Sequence, residues 1–207
     1  MRKRRVNGET SRHRILDAAA AIAGERGFEG TSINLVSERS GLPASSIYWH
    51  FKDKDELIAA VIDRSWDAWF ERIDRPFAAP DDAEPSELFR LALQRTRSAL
   101  EEFPDYLRLG LMLILEHRPE EPTARAKFID VRRATAERVR RDYERYFTDL
   151  KGDDIASLVT LTIALADGLF VAREADELEL SNAFDLMAGA ILGAAEQLRS
   201  SSSAAGR

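Results

Sequence analysis

The stretch Ser45-Ser46-Ile47-Tyr48-Trp49-His50-Phe51, "SSIYWHF", runs straight into "KDKDEL", Lys52 to Leu57. Four aromatic rings in succession cannot all face inward on one helix, so their directions decide what the segment does. At about 100° of turn per residue, with Ile47 set at zero, Phe51 projects to about 40° and Ala44 to about 60°, a compact apolar face. Ser45, Trp49 and Ser46 project to about 160°, 200° and 260°, away from that face. Tyr48 and His50, at about 100° and 300°, flank the core, where each can bury a ring edge and offer a polar atom to the rim.

The flanking sequence supplies what Ile47 and Phe51 would pack on. Ile15, Ala19, Ile22 and Ala23 recur at helical spacing after Thr10 and Ser11, which predicts a first helix capped there and running to about Gly27. Thr31 or Ser32 can cap a short second helix with Ile33, Val36 and Ser40 on one face, and Gly41 can end it. Pro43 then fits the first position of a third helix, where its missing N–H is no loss. Two short helices separated by about three residues including a glycine have the form of a helix-turn-helix.

Asp53 followed by Glu56 reads as a capping box that opens a fourth helix. Its apolar series Ile58, Val61, Ile62, Trp66, Trp69, Phe70, Ile73 keeps helical period for about 20 residues, or roughly 30 Å, long enough to join two domains. "RPFAAPDDAEPSE", Arg75 to Glu87, holds three prolines and an acidic cluster and reads as the main break. Five further helices are expected at 87–102, 104–116, 121–147, 153–174 and 181–199. No stretch alternates as a strand does, so the fold class is all-α with about nine helices. The expected division is 1–54 for the helix-turn-helix and a basic arm, 55–199 for a second helical domain, and 200–207 for a disordered tail.

Composition narrows the class. The 207 residues are 44% hydrophobic and 32% charged, as in ordinary globular proteins, and the absence of cysteine excludes disulfides, thiolate nucleophiles and cysteine-held zinc. A cytoplasmic location fits that chemistry. The opening "MRKRRVNGET" is basic without the apolar segment of a signal peptide. "LVTLTIALADGLFVA", Leu158 to Ala172, falls short of a bilayer span and carries Asp167, so no membrane partner is expected. Residues 1–54 carry 10 Lys/Arg against 6 Asp/Glu, a balance of +4, whereas the remainder balances at −10. A basic first quarter on an acidic chain suggests that only this part meets a polyanion.

The outer face of the third helix can be read in two ways. Trp49 and Tyr48 could simply cover apolar surface at a domain boundary. Alternatively, two hydroxyls, a phenol, an indole and an imidazole suit phosphate bonds and contacts to base edges or thymine methyls in a major groove. "ILDAAAAIAGERGFEGTSINLVSERSGLPASSIYWHFKDKDELI" resembles the DNA-binding domain of the TetR family of transcriptional regulators. It shares the first helix ending in Gly-Phe, the Thr opening the second helix, the Gly of the turn, Tyr-x-His-Phe and Lys-x-Glu/Asp-Leu. The resemblance implies DNA contacts from Thr31, Ser45, Ser46, Tyr48, Trp49, His50 and Lys54, with Thr31 and Lys54 on phosphates; Ser32, beside Thr31 at the start of the second helix, is a further candidate contact. Ser45 stands where the family often has glycine, and Val36 and Ser40 where it often has alanine. Arg2 to Arg5 could be an arm reaching phosphates or a minor groove, or a basic end with no defined contact.

For the remainder, the resemblance implies a ligand-binding and dimerisation domain. "LVTLTIALADGLFV" and "AFDLMAGAILGAAEQL" are apolar around most of their circumference and call for burial on more than one side. Ala188, Gly189, Gly193 and Ala195 would let another helix come close. A homodimer through the helices at 153–174 and 181–199 fits, as does a palindromic double-stranded operator; internal core helices of a monomer are the alternative. Trp66, Trp69, Phe70, Phe89, Tyr106, Leu109, Met112, Phe128 and Phe170 could line an apolar effector cavity or serve as core. Asp167 needs a partner if buried, either a ligand or a structural one.

An enzyme is the competing class. His13, His50 and His117 are the only histidines, and no His-Glu-x-x-His, phosphate-loop or Gly-x-Ser-x-Gly motif occurs. Glu116, His117, Glu120 and Glu121 give a weak metal signal in a loop. The arginines of 132–145 read as an ion-paired solvated face. The expectation is a ligand-responsive regulator, a repressor released by a small, largely apolar effector, without cofactor, metal or catalytic residues. A dimeric helical interaction protein without an effector is the alternative.

Overall fold

The computed structural model describes residues 2–74, 83–115 and 123–205, with the side chains of 2–7, 106 and 202–205 left aside. All regular structure among the described residues is helical: α1 (Arg2–Arg26), α2 (Ile33–Ser40), α3 (Ala44–His50), α4 (Lys54–Asp74), α5 (Pro85–Glu102), α6 (Asp105–Leu115), α7 (Thr123–Tyr146), α8 (Gly152–Asp176) and α9 (Leu180–Ala205). The chain forms two compact units that interleave in sequence. One comprises Met1–Trp69 with Phe103–Val131, the other Phe70–Glu102 with Arg132–Arg207.

In the first unit, α1 packs on α2 and α3. Ile15, Leu16, Ala19, Ile22, Val36, Ile47 and Phe51 are buried together with Leu57, Ile58, Val61 and Ile62 of α4. At about 1.5–3 kcal/mol for each fully buried large side chain, this cluster is what holds the short α2 and α3 against α1 and α4. Ser32 rather than Thr31 caps α2, its hydroxyl accepting from the Leu35 N–H at 3.3 Å. Gly41 ends α2 at φ 65°, a left-handed conformation that glycine adopts without strain, and Arg14 bonds the Ser40 carbonyl at 2.6 Å. Pro43 lies one position earlier than expected: it is the N-cap of α3, extended at φ −63°, ψ 151°.

The first unit also takes in α6 and the start of α7. Gly27, at φ 71°, turns the chain off α1 beside the Met112 side chain of α6. Gly110 of α6 lies against the Phe128 ring of α7, and a Cβ there would overlap the ring at 2.0 Å. Asp55, in the first turn of α4, accepts the N–H groups of Thr123 and Ala124, so one carboxylate caps the unsatisfied N-terminus of α7.

In the second unit α9 packs on both α5 and α8. Phe89 of α5 is 1% exposed and meets Tyr143, Tyr146 and Phe147 edge-on, with ring centroids 5.5, 6.0 and 5.6 Å away. Thr162 donates its hydroxyl proton to the Leu158 carbonyl at 2.8 Å, so the buried Tyr143 phenol must donate to Thr162 across their 2.6 Å contact. Burial pushes the Tyr143 phenol up from its ordinary range.

Several boundaries differ from expectation. α1 begins at Arg2 instead of near Thr10, because Arg and Lys are good helix formers and one internal glycine costs only about 1 kcal/mol. α9 runs to Ala205 instead of ending at 199, and the hydroxyls of Ser200 and Ser201 fold back onto the Glu196 and Gln197 carbonyls. α8, at 25 residues, is by length and composition long and apolar enough to cross a bilayer, and 28% of its apolar window is buried within the chain. Most of the Arg75–Glu87 break and the Glu116–Glu121 group lie outside the described residues.

Candidate nucleic-acid interface

α3 is seven residues long and is held by two apolar anchors, Ile47 at 0% and Phe51 at 3% exposure. With those two fixed inward, the helical period turns Ser45, Tyr48 and Trp49 outward. Trp49 is 76% and Tyr48 57% exposed, Ser45 is exposed, and Ser46 and His50 are half-buried. The structure therefore brings these five expected residues onto one short helix. Trp49 stands edge-on to the His50 ring at 4.5 Å between centroids, and Gly8 of α1 lies beside the indole.

Two residues that the sequence did not single out frame this face. Gly8 of α1 lies beside Trp49, where an added Cβ would make ordinary contact with the indole at 3.8 Å, and Arg12 lies over the Phe51 ring at 5.4 Å. Burial, then the positive charge of Arg12, hold the His50 imidazole below its ordinary range. A neutral His50 keeps one donor and one acceptor. Arg12 was legible only as a cation three residues before Ile15, since its ring partner is 39 positions away.

The remaining expected contacts sit differently. Thr31 is 1% exposed, and its hydroxyl proton is given to the Gly27 carbonyl at 2.8 Å. Its side chain is packed into the α1–α2 turn. Ser32 is exposed at the start of α2 but already serves as its cap. Lys54 folds back: its ammonium donates to the Phe28 carbonyl at 3.1 Å and lies 4.1 Å from the centroid of the Phe28 ring. The Asp53–Glu56 capping box forms, with Asp53 Oδ1 accepting the Glu56 N–H at 2.8 Å. Glu56 reaches back to the Lys52 N–H at 2.6 Å, one residue before the cap. The side chains of Arg2 to Arg5 are outside the described residues, although their backbone is helical.

Residues 15–61 match the family described as bacterial regulatory proteins, tetR family. Those 47 residues, α1 from Ile15 through the first part of α4, carry the TetR-family DNA-binding signature. Among curated relatives, the HTH-type transcriptional repressor KstR of Rhodococcus jostii (strain RHA1) is 32% identical over 93 residues, covering 45% of this chain and 42% of that protein. The HTH-type transcriptional regulator AcrR of Shigella flexneri is 33% identical over 60 residues, 29% of this chain and 28% of AcrR. The chain thus matches less than half the length of these relatives. Two solved structures are similar over most of the chain. The fatty acid degradation regulator FadR from Bacillus halodurans has a TM-score of 0.71 at 12% identity, covering 87% of this chain and 94% of FadR. A transcriptional regulator from Rhodococcus sp. Rha1 has a TM-score of 0.68 at 22% identity, covering 88% and 96%. At those identities the likeness is one of fold, and the TetR-family helix-turn-helix carries the sequence signal.

The residues expected to line an effector cavity divide between the two units. Trp66, Trp69, Leu109, Met112 and Phe128 belong to the first, and Phe70, Phe89, Asp167 and Phe170 to the second. The Tyr106 side chain is outside the described residues. Trp69, Phe89, Leu109, Phe128 and Phe170 are buried as core, and Met112 is 44% exposed. Arg138 lies 5.0 Å over the Phe70 ring. Asp167 has its partner: Arg132 of α7 reaches both carboxylate oxygens, one at 3.1 Å. The second unit holds a polar, open cavity of about 430 Å3 lined by Glu101, Arg173, Glu177, Leu178, Glu179 and Leu180. None of the expected effector residues lines it.

Proposed function

We propose that this chain is a TetR-family DNA-binding transcriptional regulator, a repressor that occupies a palindromic operator as a homodimer in the cytoplasm and is released by a small, largely apolar effector. The observation that carries the DNA reading is the outer face of α3, where Tyr48 and Trp49 stand in solvent over fully buried Ile47 and Phe51. Large exposed rings on a rigid, mostly neutral helix suit base edges and thymine methyls in a major groove. Repression is supported by the likeness to KstR, a transcriptional repressor.

The homodimer is supported by the surface of the second unit. Thr160, Leu161, Ala164, Gly168 and Val171 form an exposed stripe on α8, and Leu186, Gly189, Ala190 and Gly193 form one on the adjoining α9. Leu186 is 75% exposed, and nothing approaches Gly168, Gly189 or Gly193 within 4 Å of an added Cβ. Of the four small residues expected to admit a helix, Gly189 and Gly193 face outward, while Ala188 and Ala195 are buried against the chain's own core. A second copy laid on this face would bury the apolar surface that α8 leaves open, and a pair of chains brings two α3 helices, as a palindromic operator requires.

The effector is supported more coarsely, by fold likeness and by the length of α4, which continues from Lys54 to Asp74. The aromatic residues packed as core favour the alternative, a dimeric helical protein without an effector. Selection of duplexes from a random pool by the full chain, followed by a small-molecule screen for loss of binding, tests both parts. Enrichment of a palindrome supports the DNA reading and enrichment of nothing refutes it. Release by an apolar compound supports the effector, and compounds that raise thermal stability without changing affinity count against it.

A further inference from the structure

We infer that Asp55 is a positioning residue that couples the recognition helix α3 to α7, so that a shift of either helix is felt by the other. The inference rests on the DNA-binding reading above. Two links make the connection, and the first runs from α3 to α4. Phe51, the buried C-cap of α3, is followed only by Lys52 and Asp53 before α4 opens at Lys54. Glu56 holds the Lys52 N–H at 2.6 Å and Asp53 holds the Glu56 N–H at 2.8 Å, so hydrogen bonds fix both residues of the junction. The first turn of α4 therefore moves with α3.

The second link runs from that turn to α7. Asp55, half-buried, takes the Thr123 N–H on Oδ2 and the Ala124 N–H on Oδ1, the latter at 3.3 Å. An α-helix leaves these amides without an intrahelical acceptor, and a carboxylate there also meets the positive end of the helix dipole. Ala124 is 0% exposed, so little solvent is at hand to replace the carboxylate. α7 is continuous from Thr123 to Tyr146; its start, to Val131, belongs to the first unit and its remainder to the second. At that far end Tyr143 packs on Phe89. Coupling is reciprocal, so a molecule that displaced α7 would act on α3 through the same carboxylate.

Other contacts among the described residues are weaker carriers. Lys127 of α7 pairs with Asp63 of α4 at 3.4 Å, but the two side chains are 37% and 49% exposed, where an ion pair contributes little. α6 touches α7 where Gly110 meets Phe128, yet it reaches the end of α1 through the flexible, exposed Met112 beside Gly27.

The test is hydrogen–deuterium exchange of the full chain, alone and bound to a duplex it selects from a random pool, for the unmodified protein, Asp55→Ala, Asp55→Asn and Asp63→Asn. Couplings between sites typically correspond to about 5–150-fold in an equilibrium constant. Duplex binding is expected to slow exchange over residues 123–131 by about fivefold or more in the unmodified chain and in Asp63→Asn. Asp55→Asn, which keeps one carbonyl acceptor, should show a smaller slowing. In Asp55→Ala the segment should exchange equally fast with and without the duplex, while residues 44–51 remain protected by it. A cap with no part in coupling would speed exchange in Asp55→Ala yet leave the duplex-dependent slowing in place. Persistence of that slowing in Asp55→Ala, an undiminished slowing in Asp55→Asn, or no slowing in the unmodified chain overturns the assignment and leaves DNA binding intact. If the unmodified chain selects no duplex, the DNA reading falls and the coupling falls with it.

Discussion

Trp49 keeps three-quarters of its surface in water at the end of a seven-residue helix, an arrangement whose hydrophobic cost only contact with another molecule recovers. Because its ring meets only His50 and the Gly8 turn of α1, Trp49→Ala should change stability by no more than a neutral surface substitution, about 0.5 kcal/mol, and still weaken duplex binding by about tenfold or more. Thermal unfolding and fluorescence anisotropy check the two halves. The direction of these rings was legible in the sequence, because a helical projection needs only residue order. The fates of Thr31 and Lys54 were not, since each is held by a main-chain carbonyl, of Gly27 and of Phe28, and carbonyls leave no mark in a sequence. His50 gives a prediction with a sign. Its folded-state pKa lies below the ordinary 6.5, so the unfolded chain takes up its proton first as pH falls. The stability contributed by His50 is complete above pH 6.5 and is lost as pH drops through the lower folded value. Thermal melts across that window should show the unmodified protein losing Tm relative to His50→Gln. Parallel curves would mean that Arg12 and burial do not act on this ring.

Among the elements, the short helices were legible at their ends because caps are local. Ser32, Gly41, Asp53 and Glu56 each act within five residues of their partners, and all four form the expected stops or starts. Gly41→Ala should therefore cost about 1 kcal/mol or more, since the residue sits at φ 65° and a Cβ would lie 3.2 Å from the Arg14 guanidinium. Denaturant melts measure it, and a neutral outcome would show that α2 does not need a left-handed stop. Long-range caps were not legible. Nothing local to Asp55 indicates that it closes the N-terminus of α7, 68 residues away. The start of α1 was missed for the opposite reason: Thr10 and Ser11 are good caps by type, yet the helix continues through them to Arg2.

Across the whole molecule, the core of the second unit and its open face make separate demands. Phe89 fills a closed aromatic cluster, and Phe89→Ala should cost about 3–5 kcal/mol, read as a fall in the denaturant midpoint. Leu186, 75% exposed, should be dispensable to the fold and necessary to the pair of chains. Leu186→Glu should leave the helical spectrum intact and shift the protein to monomer in sedimentation velocity; an unmodified chain that sediments as a monomer would contradict the dimer. The apolar character of α8 and α9 was plain in sequence, but composition cannot say which flank the chain covers itself. Only packing separates the buried Ala188 and Ala195 from the open Gly189 and Gly193. The central claim is that the outer face of α3 reads DNA. Its most direct test compares the affinity of the unmodified chain and of Tyr48→Ala/Trp49→Ala for a selected palindrome and for its scrambled duplex. The account predicts a strong preference for the palindrome that the double variant loses at unchanged Tm, and a variant that keeps the full preference would contradict it.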